Sequence, residues 1–120
     1  MKRSLVVFSL ALVALAGCSF QNKNEREADK ITRAVLANNM SGVVEDFDPA
    51  IRSQVTRVKV AQLSDELNAQ GKYGGLKEND ANCRTGYVCF DVTFEKRPYH
   101  ELMKLGSDGK VQAWSTHSAQ

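Results

Sequence analysis

Residues 86–96 alternate more strictly than any other stretch of the chain. Val88, Phe90, Val92 and Phe94 fall on one side, and Tyr87, Cys89, Asp91, Thr93 and Glu95 on the other, the pattern of a strand packed on one face only. Upstream the period becomes that of helices. A first helix is predicted over residues 25–38, with Asn24 as its cap, Glu25 and Glu27 beside its positive end, and Ala28, Ile31, Val35 and Leu36 in one apolar stripe. Asp48-Pro49 restarts a short helix carrying Ile51 and Val55. A further helix begins near Thr56 or Arg57, buries Val60, Leu63 and Leu67, and stops at Gly71. Residues 72–82 read as a loop or a poorly patterned edge strand. Beyond the central strand, Lys96-Arg97-Pro98 turns the chain and residues 99–105 form the next strand. Ser107-Asp108-Gly109 closes a hairpin, and residues 110–116 return antiparallel. Helices first and sequential strands after predict an α+β domain, its N-terminal helices packed on one face of a three- to four-stranded antiparallel sheet.

The first residues follow another logic. Lys2 and Arg3 precede an apolar run over residues 5–16, which ends in Leu15-Ala16-Gly17-Cys18. A basic end, an apolar core and small residues at the cut make a secretory signal over residues 1–17. The run is well short of the roughly 20 residues that span a bilayer as a helix. Leu15-Ala16-Gly17-Cys18 resembles the lipobox of bacterial lipoproteins. That resemblance implies cleavage before Cys18, palmitate-like acyl chains on Cys18 and a lasting hold on the lipid bilayer, since two or more chains detach very slowly. By the sorting rule of the same proteins, Ser19 favours the outer membrane in a Gram-negative source. Residues 18–24 are then the lipidated Cys and a short tether, 25–117 a single domain, and 118–120 a polar tail.

Charge removes one class of partner. The whole chain has a formal net charge of +2; without Lys2 and Arg3 its 16 basic side chains become 14, against 14 acidic ones. The basic residues form no run or stripe, so no nucleic-acid partner is expected. With Cys18 assigned to lipid, Cys83 and Cys89 remain in an oxidising compartment. They flank the turn-like Arg84-Thr85-Gly86, so a disulfide between them is expected.

Five features carry a wider resemblance: the first helix ending at Asn39-Met40, the segment Phe47-Asp-Pro-Ala-Ile51, the helix leading into Gly71-Lys-Tyr-Gly-Gly75, the strand over residues 87–94, and the hairpin at Asp108-Gly109-Lys110. In these the domain resembles small cystatin-like or nuclear transport factor 2-like lipoproteins and secreted proteins of bacteria. The resemblance implies a fold more than an activity. Enzymes of the nuclear transport factor 2-like class use a cavity between helices and sheet with an Asp, His or Tyr inside; the positions that could serve here are Tyr87, Asp91, Tyr99 and His100. Asp91 has the wrong parity to face the helices. His100 and His117 alone make a poor metal site, and the run Glu78, Asn79, Asp80, Asn82 lacks the spacing of a calcium loop. No metal, cofactor or catalytic motif is expected.

Tyr87, Thr93, Tyr99 and Trp114 are the candidates for a partner-facing surface, because Tyr and Trp anchor interfaces. The face taken by Trp114 is open, since Val111 and Ala113 share one parity and Gln112 and Trp114 the other. The function these readings imply is a non-enzymatic envelope lipoprotein that binds or supports another envelope protein. A small-ligand binder with a cavity between helices and sheet, or an inhibitor or immunity-like protein against an envelope-active enzyme, are the alternatives.

Overall fold

The computed structural model describes residues 20–119. The leader over residues 1–17, Cys18 and Ser19 lie outside the described residues, as does Gln120. Helix α1 spans Lys23–Leu36 and starts before its apolar stripe does. Its cap is Asn22, not Asn24: Asn22 Oδ1 accepts the Glu25 N–H at 2.7 Å, and Glu25 Oε1 accepts the Asn22 N–H at 3.0 Å. This reciprocal capping box satisfies two backbone donors together. At the far end Asn38 takes φ 53, and the Leu36 carbonyl accepts from Asn68 Nδ2 at 3.0 Å and Ser64 Oγ at 3.3 Å. A single 3₁₀ turn, Val44–Asp46, follows. Then comes α2, Pro49–Arg52, capped by Asp48, and α3, Arg57–Asn68, capped by Thr56.

Four strands complete an α+β domain with its helices N-terminal to the sheet. They are β1 (Tyr73–Glu78), β2 (Val88–Phe94), β3 (Tyr99–Leu105) and β4 (Val111–Ser118), joined in sequence order as an antiparallel meander. The stretch 72–82 therefore does contain a strand. Its pattern is blurred because the Tyr73-Gly-Gly-Leu76 segment carries two glycines, and the register with β2 shifts between Tyr73 and Gly75.

Register determines what lies under the helices. Val88, Phe90 and Val92 pair with Met103, Glu101 and Tyr99, and directly paired residues share a face. Phe90, Val92, Phe94, Tyr99 and Met103 accordingly join Ala28, Ile31, Val35 and Leu67 in one buried core. Cys83 and Cys89 are disulfide-bonded, tying the loop after β1 to the start of β2.

The last strand resolves its parity with a bulge. Lys104 pairs with Ala113 but Leu105 with Val111, so Gln112 is the extra residue. Val111 and Trp114 therefore both turn toward the helices, which strict alternation forbids.

Candidate functional site

The sheet's two outer edges are treated differently. At β1 the Glu78 N–H donates to Glu25 Oε2 at 2.7 Å, so the start of α1 closes that end of the strand. On β4 the chain's own Phe47 makes an isolated parallel bridge to Val111, and the Asp48 N–H donates to the Val111 carbonyl at 2.8 Å. Past that bridge no further strand of the described residues lies against β4.

A groove of about 440 Å³ opens there, between β4 and the helical layer. Val35 of α1, Met40, Phe47, Ile51 of α2, and Val55 and Leu63 line its helical side. Its sheet side is the consecutive run of residues 112–116. Side chains of successive strand residues point to opposite faces, so a cavity touched by all of them abuts the edge of the strand. Lys59 is the one charged side chain among the lining residues. Thr116 Oγ1 is buried there with no hydrogen-bond partner.

Behind the groove wall lies Glu101, fully buried on the helix-facing side of β3. Trp114 Nε1 donates to its Oε1 at 3.2 Å, and its Oε2 lies 2.7 Å from Thr32 Oγ1. Thr32 Oγ1 is also 2.9 Å from the Ala28 carbonyl. The Thr32 hydroxyl has one proton and donates it to that carbonyl when Glu101 donates in turn to Thr32, which requires a neutral carboxyl. Burial in the core pushes Glu101 up to about 8, outweighing the hydrogen bonds that Thr32 and Trp114 offer its charged form and that pull it down. With Glu101 protonated, the network is uncharged and complete.

The candidates proposed from sequence separate onto two faces. Tyr99 is not on a partner-facing surface: it pairs with Val92, inherits that residue's face and packs edge-on against Phe94, 5.4 Å between ring centroids. Trp114 also faces inward, but it borders the groove. Tyr87 and Thr93 stay with the outer face, Tyr87 between the cations of Arg84 and Lys104 at 4.9 and 5.9 Å.

Asp91 points to the same open side, as its parity indicates. It meets His100 with Oδ1 3.2 Å from Nδ1, and Asn79 Nδ2 holds its other oxygen at 2.9 Å. His117 lies across from His100, the ring centroids 6.4 Å apart. These side chains border a second, solvent-open depression and not the space under the helices. Among the described residues no three or more His, Cys, Asp or Glu are grouped to hold a metal ion. The loop acids are taken up by the chain itself: Glu78 accepts from Asn22 and Asn24, and Asp80 accepts the Cys89 N–H.

Two parts of this site escaped the sequence reading. Glu101 has the inward parity of Tyr99 and Met103, and a carboxyl between two such residues was the available signal. The groove itself draws its wall from six separate stretches of the chain, which no single periodicity joins. The fold and site thus define a small two-layer α+β domain with an apolar groove along one strand edge. The chain matches no protein family, no curated protein and no solved structure.

Proposed function

We propose that this chain is a membrane-tethered, non-enzymatic module of the bacterial cell envelope that holds a protein partner in the groove beside β4. The observation that carries the reading is the groove: apolar walls, one charged lining residue, and an open flank along a strand. Such a site offers contact area and no acid–base pair. Its volume lies in the range of small-ligand sites, but these are usually concave pockets that surround the ligand, whereas this one runs along a strand edge.

The lipobox-like residues ending at Cys18, and Ser19 after them, support a lipid anchor on the outer membrane, and the disulfide between Cys83 and Cys89 fits an oxidising compartment. The geometry of α1 fits a tethered receptor. Residues between Cys18 and the helix cap at Asn22 reach about 14 Å at most. Val35 of the groove lies roughly 18 Å further along the helix, so the anchor and the groove belong to opposite ends of α1.

The test uses full-length protein in its own envelope. A photo-crosslinking residue at Gln54, on the groove's exposed lip, yields an adduct with another envelope protein, and Ile51→Glu abolishes it. Cys18→Ala leaves the protein unlipidated and uncleaved at this site. Undiminished crosslinking with Ile51→Glu, or normal membrane retention of a cleaved Cys18→Ala protein, refutes the corresponding half of the reading.

A further inference from the structure

The free edge of β4 has a defined set of backbone groups. The Ala119 N–H bonds back to the Pro98 carbonyl, so by the two-residue alternation of an antiparallel ladder His117, Ser115 and Ala113 direct their backbone groups toward β3. Trp114 and Thr116 direct theirs outward. The Val111 carbonyl also points outward, because the bulge at Gln112 reverses the alternation, and it is already engaged by Asp48. The chain itself thus pairs with this edge once, at Val111, and goes no further.

We infer that the groove's occupant is an extended segment of a partner protein that adds to β4 as a fifth strand alongside Trp114 and Thr116. This rests on the reading of the groove as a protein-binding site. Residues of the added segment paired with Trp114 and Thr116 share their face and project into the apolar groove, between Ile51 and Val55 on one side and Trp114 on the other. The unpartnered Thr116 Oγ1 lies beside that path, and an acidic residue in the segment meets Lys59.

Two further features fit a strand. Residues 113–118 contain no Lys, Glu, Asp or Pro, the usual devices that guard an edge against pairing. The free edge beyond the Phe47 bridge covers about 17 Å, the length of roughly five extended residues. So short an edge suits a single segment with side-chain anchors better than a second copy, since stable interfaces bury about 800 Å² per partner.

Thr116→Pro provides the test. Its N–H points away from β3, so Pro there leaves the β3–β4 ladder intact and removes the donor an added strand needs. Photo-crosslinking residues are placed in turn at Gln54, at Ser115 and, as control, at Lys77, in the full-length chain in intact cells. The expected result is a heterologous adduct from Gln54 and Ser115 and none from Lys77, reduced about tenfold or more by Thr116→Pro. Amide exchange over residues 113–117 slows in membranes relative to detergent-purified protein, a readout that needs no variant. An adduct undiminished in a folded Thr116→Pro protein, or unchanged exchange over 113–117, overturns strand addition and leaves the groove reading standing. An adduct of twice the chain's own mass assigns the edge to a second copy and overturns the inference. No adduct from either groove position overturns both.

Discussion

Trp114 Nε1 donates a hydrogen bond to Glu101 Oε1 across 3.2 Å, joining the wall of the groove to the domain's fully buried carboxyl group. The contact ties the chemistry of the core to the lining of the groove. Its energetics depend on the proton that Glu101 retains.

Burial raises Glu101 to about 8 in the folded protein, from an ordinary value of 4.5. Between those two values the folded protein keeps a proton that the unfolded chain has released, so stability falls as pH rises through that window. The loss is on the order of a few kcal/mol. Glu27, raised to about 7 by burial and by the neighbouring Asp46, contributes a fall of the same sign. Urea unfolding at pH 5, 7 and 9 measures the slope. Glu101→Gln accepts from Trp114 and donates to Thr32 without titrating, so it flattens the curve in part; an unchanged slope contradicts the assignment.

The core is sensitive where it is fully closed. Phe90→Ala and Met103→Ala each lose about 2–5 kcal/mol, from transfer free energy and the cavity left behind. Thr93→Ala, on the exposed face of the same β2, stays within roughly 0.5 kcal/mol. Denaturant midpoints at constant slope separate the two classes.

Two glycines make a controlled pair. Gly71 has φ 86, and a Cβ there would lie 2.6 Å from Glu95 Oε1 and 2.7 Å from Glu95 Cβ. Gly42 has neither a positive φ nor any atom within 4 Å of such a Cβ. Gly71→Ala destabilises by about 1 kcal/mol or more, while Gly42→Ala is neutral or stabilises by up to roughly 1 kcal/mol. Thermal unfolding of the two variants side by side reads the difference.

The disulfide closes a short loop. Intact mass of exported protein drops by two hydrogens relative to the reduced form, and alkylation labels neither Cys83 nor Cys89 without reductant. Replacing both by Ser costs roughly 2 kcal/mol on the chain-entropy estimate.

Legibility followed the length of the pattern. Residues 99–105 were readable to the residue, because a turn and a hairpin bracket an alternating run and β3 spans Tyr99–Leu105. The helices were readable as elements, but not the start of α1, where Asn22 and Glu25 cap each other outside the apolar stripe. The start of β1 was obscured by Gly74 and Gly75, which bring no side chain to either face. Trp114 could not be placed because a single inserted residue, Gln112, reverses every face after it. Glu101 and the groove depend on contacts between segments far apart in the chain, and a one-dimensional pattern does not contain them.

The closure of β1 by Glu25 bears on how far any assembly can grow. A sheet open on both edges can pass strand pairing from molecule to molecule and end as a fibre. Here the Glu78 end of one edge is engaged from within, so a copy adding along β1 meets a shortened ladder. Pairing passed from sheet to sheet through β1 would have to displace that carboxylate first, a cost that the β4 edge past Val111 does not carry.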